Sequence, residues 1–431
     1  MRINKPGRLA LLCILASISW AMVCDAAGNG SGFVEYQGKT YFWGFTAANF
    51  EETGLMGNYA PIDGIETRLL SIDADDPAAV PEEVLTADGT GKIGIRDDRL
   101  YYESGSGIKS ILLDGTDPKL CSADSWIAGA LDDEGILVLA GFNEESGQYI
   151  NVLNMSTGEE LTLVDNGSFI LAEDGLIFYY TNPDKQTINV NCFEAATNTT
   201  ANLGTISQTL WDENEISVMS ETSVSCAQVA DGYLYIVYGS YAGSGGFLQG
   251  GEIARFPIDT QSSSAGAEHL YGEKDHSAGE NLYVQVVDGE HIVYFNENNF
   301  ESSAPSAMSL RVPGGEAVAA SMDVYPKGIP YASGESMCRH PDLSGSTEVL
   351  VVPEDYSTID FTDAISDNDN EGPLITVENI NVINDWVYFT VPKSLYDEAA
   401  SIGWRTGYRF QEGGIFRKNL KTGTVQQLHR Y

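Results

Sequence analysis

Positive charge is scarce in this chain. Its 431 residues include 23 Lys plus Arg against 62 Asp plus Glu, a formal net charge of −39. A surface of this sign repels phosphate backbones and anionic lipid headgroups. The composition therefore argues against nucleic-acid partners. It favours a protein that stays soluble outside the cell, or one that binds cations at acidic loops.

Motifs of common catalytic sites are missing as well. The five histidines never fall in an H-E-x-x-H pattern, and the chain contains neither G-x-S-x-G nor the Asp-box of sialidases. The Gly-rich stretch 239–246 lacks the Gly-Lys-Ser/Thr ending of a phosphate-binding loop. These absences favour a binding protein over an enzyme. The alternative is a carbohydrate-active enzyme whose two carboxylates come from distant parts of the chain.

Cysteines are few and widely spaced. Beyond the first 27 residues they are Cys121, Cys192, Cys226 and Cys338, and no two of them form a C-x-x-C pair. This spacing excludes a zinc knuckle and a thioredoxin-type redox site. Four buried free thiols and several disulfide pairings remain open from the sequence.

The longest apolar run is confined to the N-terminus. Arg2, Lys5 and Arg8 precede an apolar stretch at 10–23, which is too short to span a bilayer comfortably. We expect a signal peptide at 1–27 and a short polar tether at 28–32. No later segment of the sequence is apolar enough to span a bilayer. The protein is expected to be secreted or attached to a bacterial cell surface, with lipidation of Cys24 as the alternative to release.

A short cassette returns along the rest of the chain. It consists of a polar turn, often Asp-Gly, followed at once by an aromatic or aliphatic strand. Such dipeptides favour tight hairpins because Gly tolerates positive φ. The copies begin at Gln37, Asp98, Glu134, Asp174, Asp231, Asp288, Gly328 and Asn384.

The spacing of the cassette predicts the architecture. Successive copies lie roughly 40 to 60 residues apart, which suits units of four short strands. We predict an all-β fold, a single β-propeller of eight four-stranded blades over 33–431. The copy near Gly328 is degenerate because Pro330 lies in its strand. If that copy is not a blade, the propeller has seven.

The strand Leu100-Tyr101-Tyr102, with the turn sequence at 111–116, carries a family resemblance. These units resemble bacterial secreted β-propeller domains related to the low-density-lipoprotein-receptor-related type and, more loosely, TolB-type propellers. The resemblance covers most of 33–431. It implies a fold and carries over no functional residue.

Extra residues concentrate in one connection of the predicted unit, the one after the aromatic strand. In an antiparallel blade these connections lie on one ring face, the usual place of a binding surface on a rigid scaffold. The insertions are 46–66, 239–251, 296–306 and 392–413.

The last of these insertions contains the predicted ligand-binding residues. They are Trp404, Arg405, Tyr408 and Arg409, residue types that anchor interfaces and stack on sugars or peptides. The alternative is that these aromatic side chains pack the loop onto the ring.

An acidic segment near the C-terminus is similar to a calcium loop. Asp367, Asp369, Glu371 and Glu378 stand at alternating ligand positions with Gly372 at the turn, although Glu371 replaces the usual Asp or Asn. No other cofactor is indicated. The alternative is a solvated acidic loop.

These features together indicate an exported, non-catalytic propeller. Its expected partner is an extracellular protein or glycan bound through the inserted loops. A purely structural surface or assembly component is a further alternative.

Overall fold

The computed structural model describes the residues that carry the sheets. They are 29–53, 58–62, 64–143, 147–184, 186–208, 219–242, 247–248, 251–258, 266–273, 282–288, 291–296, 307–311, 317–319, 330–333, 336–339, 348–351, 357–360, 378–391, 414–419 and 421–430.

The first half of the described chain contains four antiparallel sheets, named sheets 1 to 4 in chain order. Sheet 1 pairs β1, β2, β5 and β6; sheet 2 pairs β7 to β10; sheet 3 pairs β11 to β14; sheet 4 pairs β15 to β18. The elements are β1 Phe33–Tyr36, β2 Lys39–Gly44, a 3-10 helix Ala47–Asn49, β3 Phe50–Thr53, β4 Asn58–Pro61, β5 Thr67–Asp73, β6 Glu82–Ala87, β7 Ile93–Arg96, β8 Arg99–Ser104, β9 Gly107–Leu112, β10 Lys119–Ala123, β11 Ser125–Leu131, β12 Ile136–Asn143, β13 Gly147–Asn154, β14 Glu160–Val164, β15 Ser168–Glu173, β16 Leu176–Asp184, β17 Thr187–Glu194 and β18 Thr199–Ser207.

The second half repeats this plan in sheets 5 to 8. Sheet 5 pairs β19, β20, β22 and β23 with β21 added to β20; sheet 6 pairs β24 to β27; sheet 7 pairs β28 to β31; sheet 8 pairs β32 to β35. The strands are β19 Met219–Ala230, β20 Tyr233–Ala242, β21 Phe247–Leu248, β22 Gly251–Pro257, β23 Glu268–Glu273, β24 Leu282–Asp288, β25 His291–Asn296, β26 Ala307–Arg311, β27 Ala317–Ala319, β28 Pro330–Ser333, β29 Ser336–Arg339, β30 Glu348–Val351, β31 Ser357–Asp360, β32 Glu378–Ile383, β33 Trp386–Val391, β34 Gly414–Asn419 and β35 Val425–Arg430.

The repeated cassette occupies the same place in seven of these sheets. It is the turn between the first and second strands, together with the second strand itself. Both central residues of several of these turns have positive φ, as a two-residue hairpin turn of type I′ requires. These turns are Gln37-Gly38, Asp97-Asp98, Asp174-Gly175 and Asp231-Gly232.

The predicted cassette near Gly328 is misplaced by one strand. The residues from Pro330 form β28, the first strand of sheet 7, rather than the second. Pro lacks a backbone donor and is tolerated at the start of an edge strand, which explains this position.

The antiparallel order gives each sheet two distinct ends. Connections between first and second strands and between third and fourth strands lie at one end, which we call the tight-turn face. Connections between second and third strands, and from each fourth strand to the next sheet, lie at the other end, the insertion face. The hairpin of β3 and β4 belongs to the insertion face, because it fills the connection between β2 and β5.

Neighbouring sheets pack through apolar faces, and the first sheet packs against the last. Phe33 and Phe42 of sheet 1 share one cluster with Trp386 and Tyr388 of sheet 8. The Thr40 hydroxyl donates to the Tyr388 hydroxyl oxygen over 3.0 Å. The first strands of successive sheets lie close together: β1 contacts β7, and β11 contacts β15. Radial sheets with inner first strands and packed chain ends form a β-propeller.

Each chain end builds its own complete sheet. All strands of sheet 1 come from the N-terminal part and all strands of sheet 8 from the C-terminal part. The junction between them therefore depends on side chains rather than on a shared strand. None of the helices in the described part of the chain has the length and apolar character to cross a bilayer.

Candidate functional site

The predicted ligand anchors stay a prediction. Trp404, Arg405, Tyr408 and Arg409 lie outside the described residues. The structure does place the strands that flank them: β33 ends at Val391 and β34 begins at Gly414. Both of these strand ends lie at the insertion face of sheet 8.

The calcium loop is equally untested. Asp367, Asp369 and Glu371 lie outside the described residues, and Glu378 is the first residue of β32. Within the part of the chain that the structure describes, no group of three or more His, Cys, Asp or Glu side chains is arranged to hold a metal ion.

A polar cluster lies in sheet 5, near its contact with sheet 4. Tyr238 on β20 pairs in register with Glu252 on β22, and His269 follows on β23. We call these three residues the Glu252 cluster. Tyr238 lies shortly before the insertion at 239–251 and Glu252 directly after it. The cluster therefore lies at the insertion-face end of its sheet.

The carboxylate of this cluster is fully withdrawn from solvent. Glu252 is 0% exposed. Its Oε1 lies 3.2 Å from His269 Nε2, whose side chain is 39% exposed. Burying a carboxylate in a protein costs several kcal/mol of lost hydration unless hydrogen-bond donors replace the water. His269 supplies one such donor when Nε2 carries a proton, and its ring connects the buried acid with the surface.

The Tyr238 hydroxyl is the second unusual group in the cluster. Tyr238 is 0% exposed, and among the described groups its hydroxyl has no hydrogen-bond partner. Burial raises the pKa of Tyr238, and the nearby charge of Glu252 raises it further. The hydroxyl is thus held neutral, as a donor beside a carboxylate.

The surroundings of the cluster are apolar. Ile236 and Ala254, the next pair on the same face of the sheet toward the tight-turn face, pack with Phe178 and Val190 of sheet 4. An unpaired buried hydroxyl costs about 1–3 kcal/mol. A donor, an acceptor and a partly exposed imidazole therefore meet at one end of an apolar interface. Such a set suits hydrogen bonding to a polar group that reaches the insertion face.

A second polar arrangement lies on the insertion face between sheets 1 and 2. Asp88 accepts from Lys109 Nζ over 2.5 Å and from the Tyr102 hydroxyl over 3.3 Å. Burial, and then the Asp88 charge, raise the pKa of Tyr102. The Trp43 ring meets the Tyr102 ring edge-on, with centroids 5.6 Å apart. Residues 88–92, which we call the strap, thus lie over two large aromatic side chains.

Glycine lets the strap approach these rings. A Cβ added to Gly89 would lie 2.0 Å from Trp43 Cζ2, and one added to Gly91 would lie 1.9 Å from Glu103 Oε2. Glu103 in turn accepts from the backbone N of Lys92 over 2.9 Å. The strap is therefore a packed element of this face.

The Glu252 cluster was not identified from the sequence, although a signal exists. Side chains two residues apart on a strand share one face, so Glu252 falls in phase with Ala254 and Phe256, which are fully buried. An acidic residue in phase with a core face predicts a buried carboxylate.

Comparisons with known proteins leave the family undetermined. No family model matches this chain, and neither does any curated protein. The solved structures that resemble it include the β-propeller domain of the Trilobed protease from Pyrococcus furiosus, with 11% identity, a TM-score of 0.42 and coverage of 86% of this chain and 96% of that one. The N-terminal domain of Nup159 follows with 7% identity, a TM-score of 0.40 and coverage of 86% and 97%.

A longer protein is among the similar structures. A puromycin-hydrolyzing peptidase of Mycobacterium tuberculosis has 11% identity and a TM-score of 0.42, with 93% of this chain covered. The chain spans about half of that peptidase, since 52% of its length is covered. Similarities this loose carry no argument about activity, and the propeller assignment depends on the sheet order and the packing of the chain ends.

Proposed function

We propose that this protein is an exported, non-catalytic β-propeller of eight blades that binds an extracellular protein or glycan on its insertion face. One observation carries the proposal: the connection between the second and third strands, which ranges from two residues in sheets 2 and 4 to 22 residues in sheets 1 and 8, lies at the same end of each of the eight sheets. A rigid ring with elaborated loops on one side is the usual layout of a binding surface.

The tight-turn face supports this assignment, because hydrogen bonds join the turns of neighbouring sheets there. The Tyr36 hydroxyl donates to Asp98 Oδ1 over 3.1 Å, joining the turns of sheets 1 and 2. Asn384 Nδ2 donates to Glu35 Oε2 over 3.1 Å, joining sheets 8 and 1. Short turns bonded in this way act as scaffold, which leaves the insertion face for recognition.

Recognition itself would combine two kinds of residue. Trp404 and Tyr408 supply stacking surfaces, while Arg405 and Arg409 supply cationic donors in a chain that is otherwise negative. The Glu252 cluster adds a buried donor and acceptor at the same end of the ring.

The binding proposal is tested with a double variant, W404A/R405A. The wild type and the variant are applied to arrays of immobilised oligosaccharides and of extracellular proteins. We expect the spots bound by the wild type to lose most of their signal in the variant, with an unchanged melting temperature. The matched control is D385A/K421A, which removes an exposed ion pair on the tight-turn face and should bind as the wild type does. Equal binding by all three proteins contradicts the proposal.

The non-catalytic part is tested separately. Incubation of the purified protein with the same oligosaccharides, followed by chromatography, should yield no shortened products. Release of products would instead favour the carbohydrate-active alternative.

The calcium proposal concerns Asp367, Asp369, Glu371 and Glu378. Added Ca²⁺ should raise the melting temperature and a chelator should lower it, because a ligand that binds only the folded state stabilises that state. D367N/D369N should abolish both shifts. A melting temperature that ignores Ca²⁺ in the wild type contradicts the site.

A further inference from the structure

The residues just before sheet 1 dock against other sheets. Ser31 forms an antiparallel bridge with Ile93, the first residue of β7. The backbone N of Gly30 donates to the Ile93 carbonyl over 2.7 Å, and the Ile93 N donates to the Ser31 carbonyl over 2.9 Å. Because β7 is the first strand of sheet 2, residues 29–31 lie along the inner side of the ring.

The direction of this segment follows from its other contacts. The side-chain oxygen of Asn29 accepts from the backbone N of Ile95, further along β7. The Asn29 backbone N donates to Asp132 Oδ1 over 2.9 Å. Asp132 belongs to the tight turn between β11 and β12 of sheet 3. The chain therefore runs from the tight-turn face at Asn29 toward the insertion face at Ser31.

Small residues make room for the segment. Gly30 is buried and has a φ of +86°, and a Cβ added to it would lie 3.0 Å from the Gly129 carbonyl carbon and 3.1 Å from the Ala130 Cβ. The inner strand of sheet 3 presents Ala128, Gly129 and Ala130 in sequence. This fit on both sides fixes the position of the segment.

We propose that residues 29–31 fix the exit of the preceding chain on the tight-turn face, so that a protein held by its N-terminus presents the insertion face outward. Cys24 lies five residue steps before Asn29, which span at most about 18 Å when fully extended. Any attachment in that region, including a lipid on Cys24, therefore lies close to the tight-turn face. This orientation does not depend on which partner the insertion face binds.

The C-terminal strand provides the opposite case. Strand β35 is the fourth strand of sheet 8 and ends at Arg430, on the insertion face. His429 confirms this position, since its Nε2 lies 2.7 Å from the Phe45 carbonyl oxygen, just after β2. Attachment through the C-terminus should therefore place the insertion face toward the point of attachment and the tight-turn face outward.

The experiment compares the two attachments on a membrane. Six histidines are inserted between Gly28 and Asn29 of the full chain, or placed after Tyr431, and the protein is bound to phosphatidylcholine vesicles containing a nickel-chelating lipid and an acceptor-dye lipid. A donor dye is coupled to an azide-bearing residue at Asp133 or at Asn143. Both positions are exposed; Asp133 lies in the turn before β12 and Asn143 is the last residue of β12, about 27 Å away along the strand direction.

The expected result is a reversal. With the N-terminal tag, energy transfer to the membrane should be at least about twofold stronger from Asp133 than from Asn143, given their separation along the strand. With the C-terminal tag, transfer should be stronger from Asn143. Equal transfer from both positions, or the same order with both tags, overturns the proposal. Neither result depends on binding of a partner.

A pair of glycine variants tests the docking itself. Gly30→Ala introduces the contacts with Gly129 and Ala130, whereas Gly158→Ala, at a φ of +73°, meets nothing within 4 Å. Both variants carry the cost of positive φ. A greater loss of melting temperature in Gly30→Ala is expected, and equal losses would contradict docking.

Discussion

The Arg417 guanidinium stacks on Trp386, with its central carbon 4.1 Å from the ring centroid. Arg417 is 0% exposed. Its Nη1 donates to the Asp73 carbonyl over 2.9 Å and its Nη2 to the Asp76 carbonyl over 2.6 Å. A buried cation of sheet 8 thereby holds the turn between the third and fourth strands of sheet 1.

Sheet 5 contains the same arrangement with a different outcome. Arg255 stands at the equivalent position, 4.4 Å from the Tyr233 centroid, and bonds Glu268 of its own sheet over 2.7 Å. In sheet 8 the Glu is replaced by Gln426, which accepts from Arg417 Nε over 2.9 Å. The amide leaves the rest of the guanidinium available to the neighbouring sheet. The closing sheet thus uses a repeated motif to join the chain ends.

Arg417→Met should weaken this junction. It keeps an apolar stem on Trp386 but leaves two carbonyls without their charged donor. Hydrogen bonds to charged groups contribute about 1.5–3 kcal/mol each, so we expect the free energy of unfolding to fall by about 3 kcal/mol. Urea unfolding measures the change. Lys421→Met, which removes an exposed ion pair with Asp385, is the control and should cost at most about 1 kcal/mol. Equal losses would show that the junction does not depend on Arg417.

Because the strap packs closely on Trp43, a single added methyl group should lower the stability of the protein. In Gly89→Ala the new Cβ would overlap the buried Trp43 ring, and forcing extra atoms into a packed region costs about 1–3 kcal/mol. Thermal unfolding should show a clear decrease in melting temperature. Gly266→Ala is the control, because a Cβ there meets nothing within 4 Å. If both variants melt alike, the strap is not packed as described.

Two buried tyrosines should respond differently to loss of the hydroxyl. Tyr101 donates to the Met155 carbonyl of the next sheet, whereas the Tyr238 hydroxyl has no described partner. Tyr101→Phe should cost about 1–2 kcal/mol, and Tyr238→Phe should be neutral or stabilising. Urea unfolding of both variants checks this. A loss at Tyr238 as large as that at Tyr101 would instead reveal a bonded hydroxyl.

The sequence predicted the strands better than it predicted the contacts between sheets. The cassette at Asp231-Gly232 combines a turn that needs positive φ with a strand of aromatic residues, and both signals are local. The contact between Arg417 and Asp73 joins residues 344 positions apart, and no local pattern encodes it. Pro330 shows the limit of the cassette itself, because a weak copy was assigned to the wrong strand.

In the candidate site, too, the sequence predicted the local features but not the contacts between separate strands. That the insertions share one face could be deduced from antiparallel order alone, and the sheets confirm that order. The Glu252 cluster required the pairing of β20 with β22 across an insertion, which fixes Tyr238 opposite Glu252. Register across a connection of variable length is not readable from either strand separately.

The described cysteines should behave as free thiols of unequal reactivity. Neither Cys121 nor Cys192 forms a disulfide bond. Burial, aided by the charge of Glu194, raises the pKa of Cys192 to about 12, so its reactive thiolate is rare at pH 8. Iodoacetamide at pH 8 should modify partly exposed Cys121 in the folded protein, and Cys192 only in urea. Peptide mass spectrometry without reductant reads both sites. A need for reductant, or equal rates in the folded state, would contradict this assignment.

His429 should make the junction of sheets 1 and 8 sensitive to acid. Burial lowers the pKa of His429 and the Arg68 charge lowers it further, against the opposing effect of the bond to the Phe45 carbonyl. The folded state therefore binds a proton less readily than the unfolded chain, whose histidine has a pKa near 6.5. Stability from this group is present above about pH 6.5 and is lost as the pH falls below that value. His429→Gln keeps an amide donor for Phe45 but cannot titrate. Between pH 7.5 and pH 5, the free energy of unfolding in urea should fall more for the wild type than for this variant, the carboxylates affecting both alike. Equal decreases would show that His429 titrates identically in the folded and unfolded states.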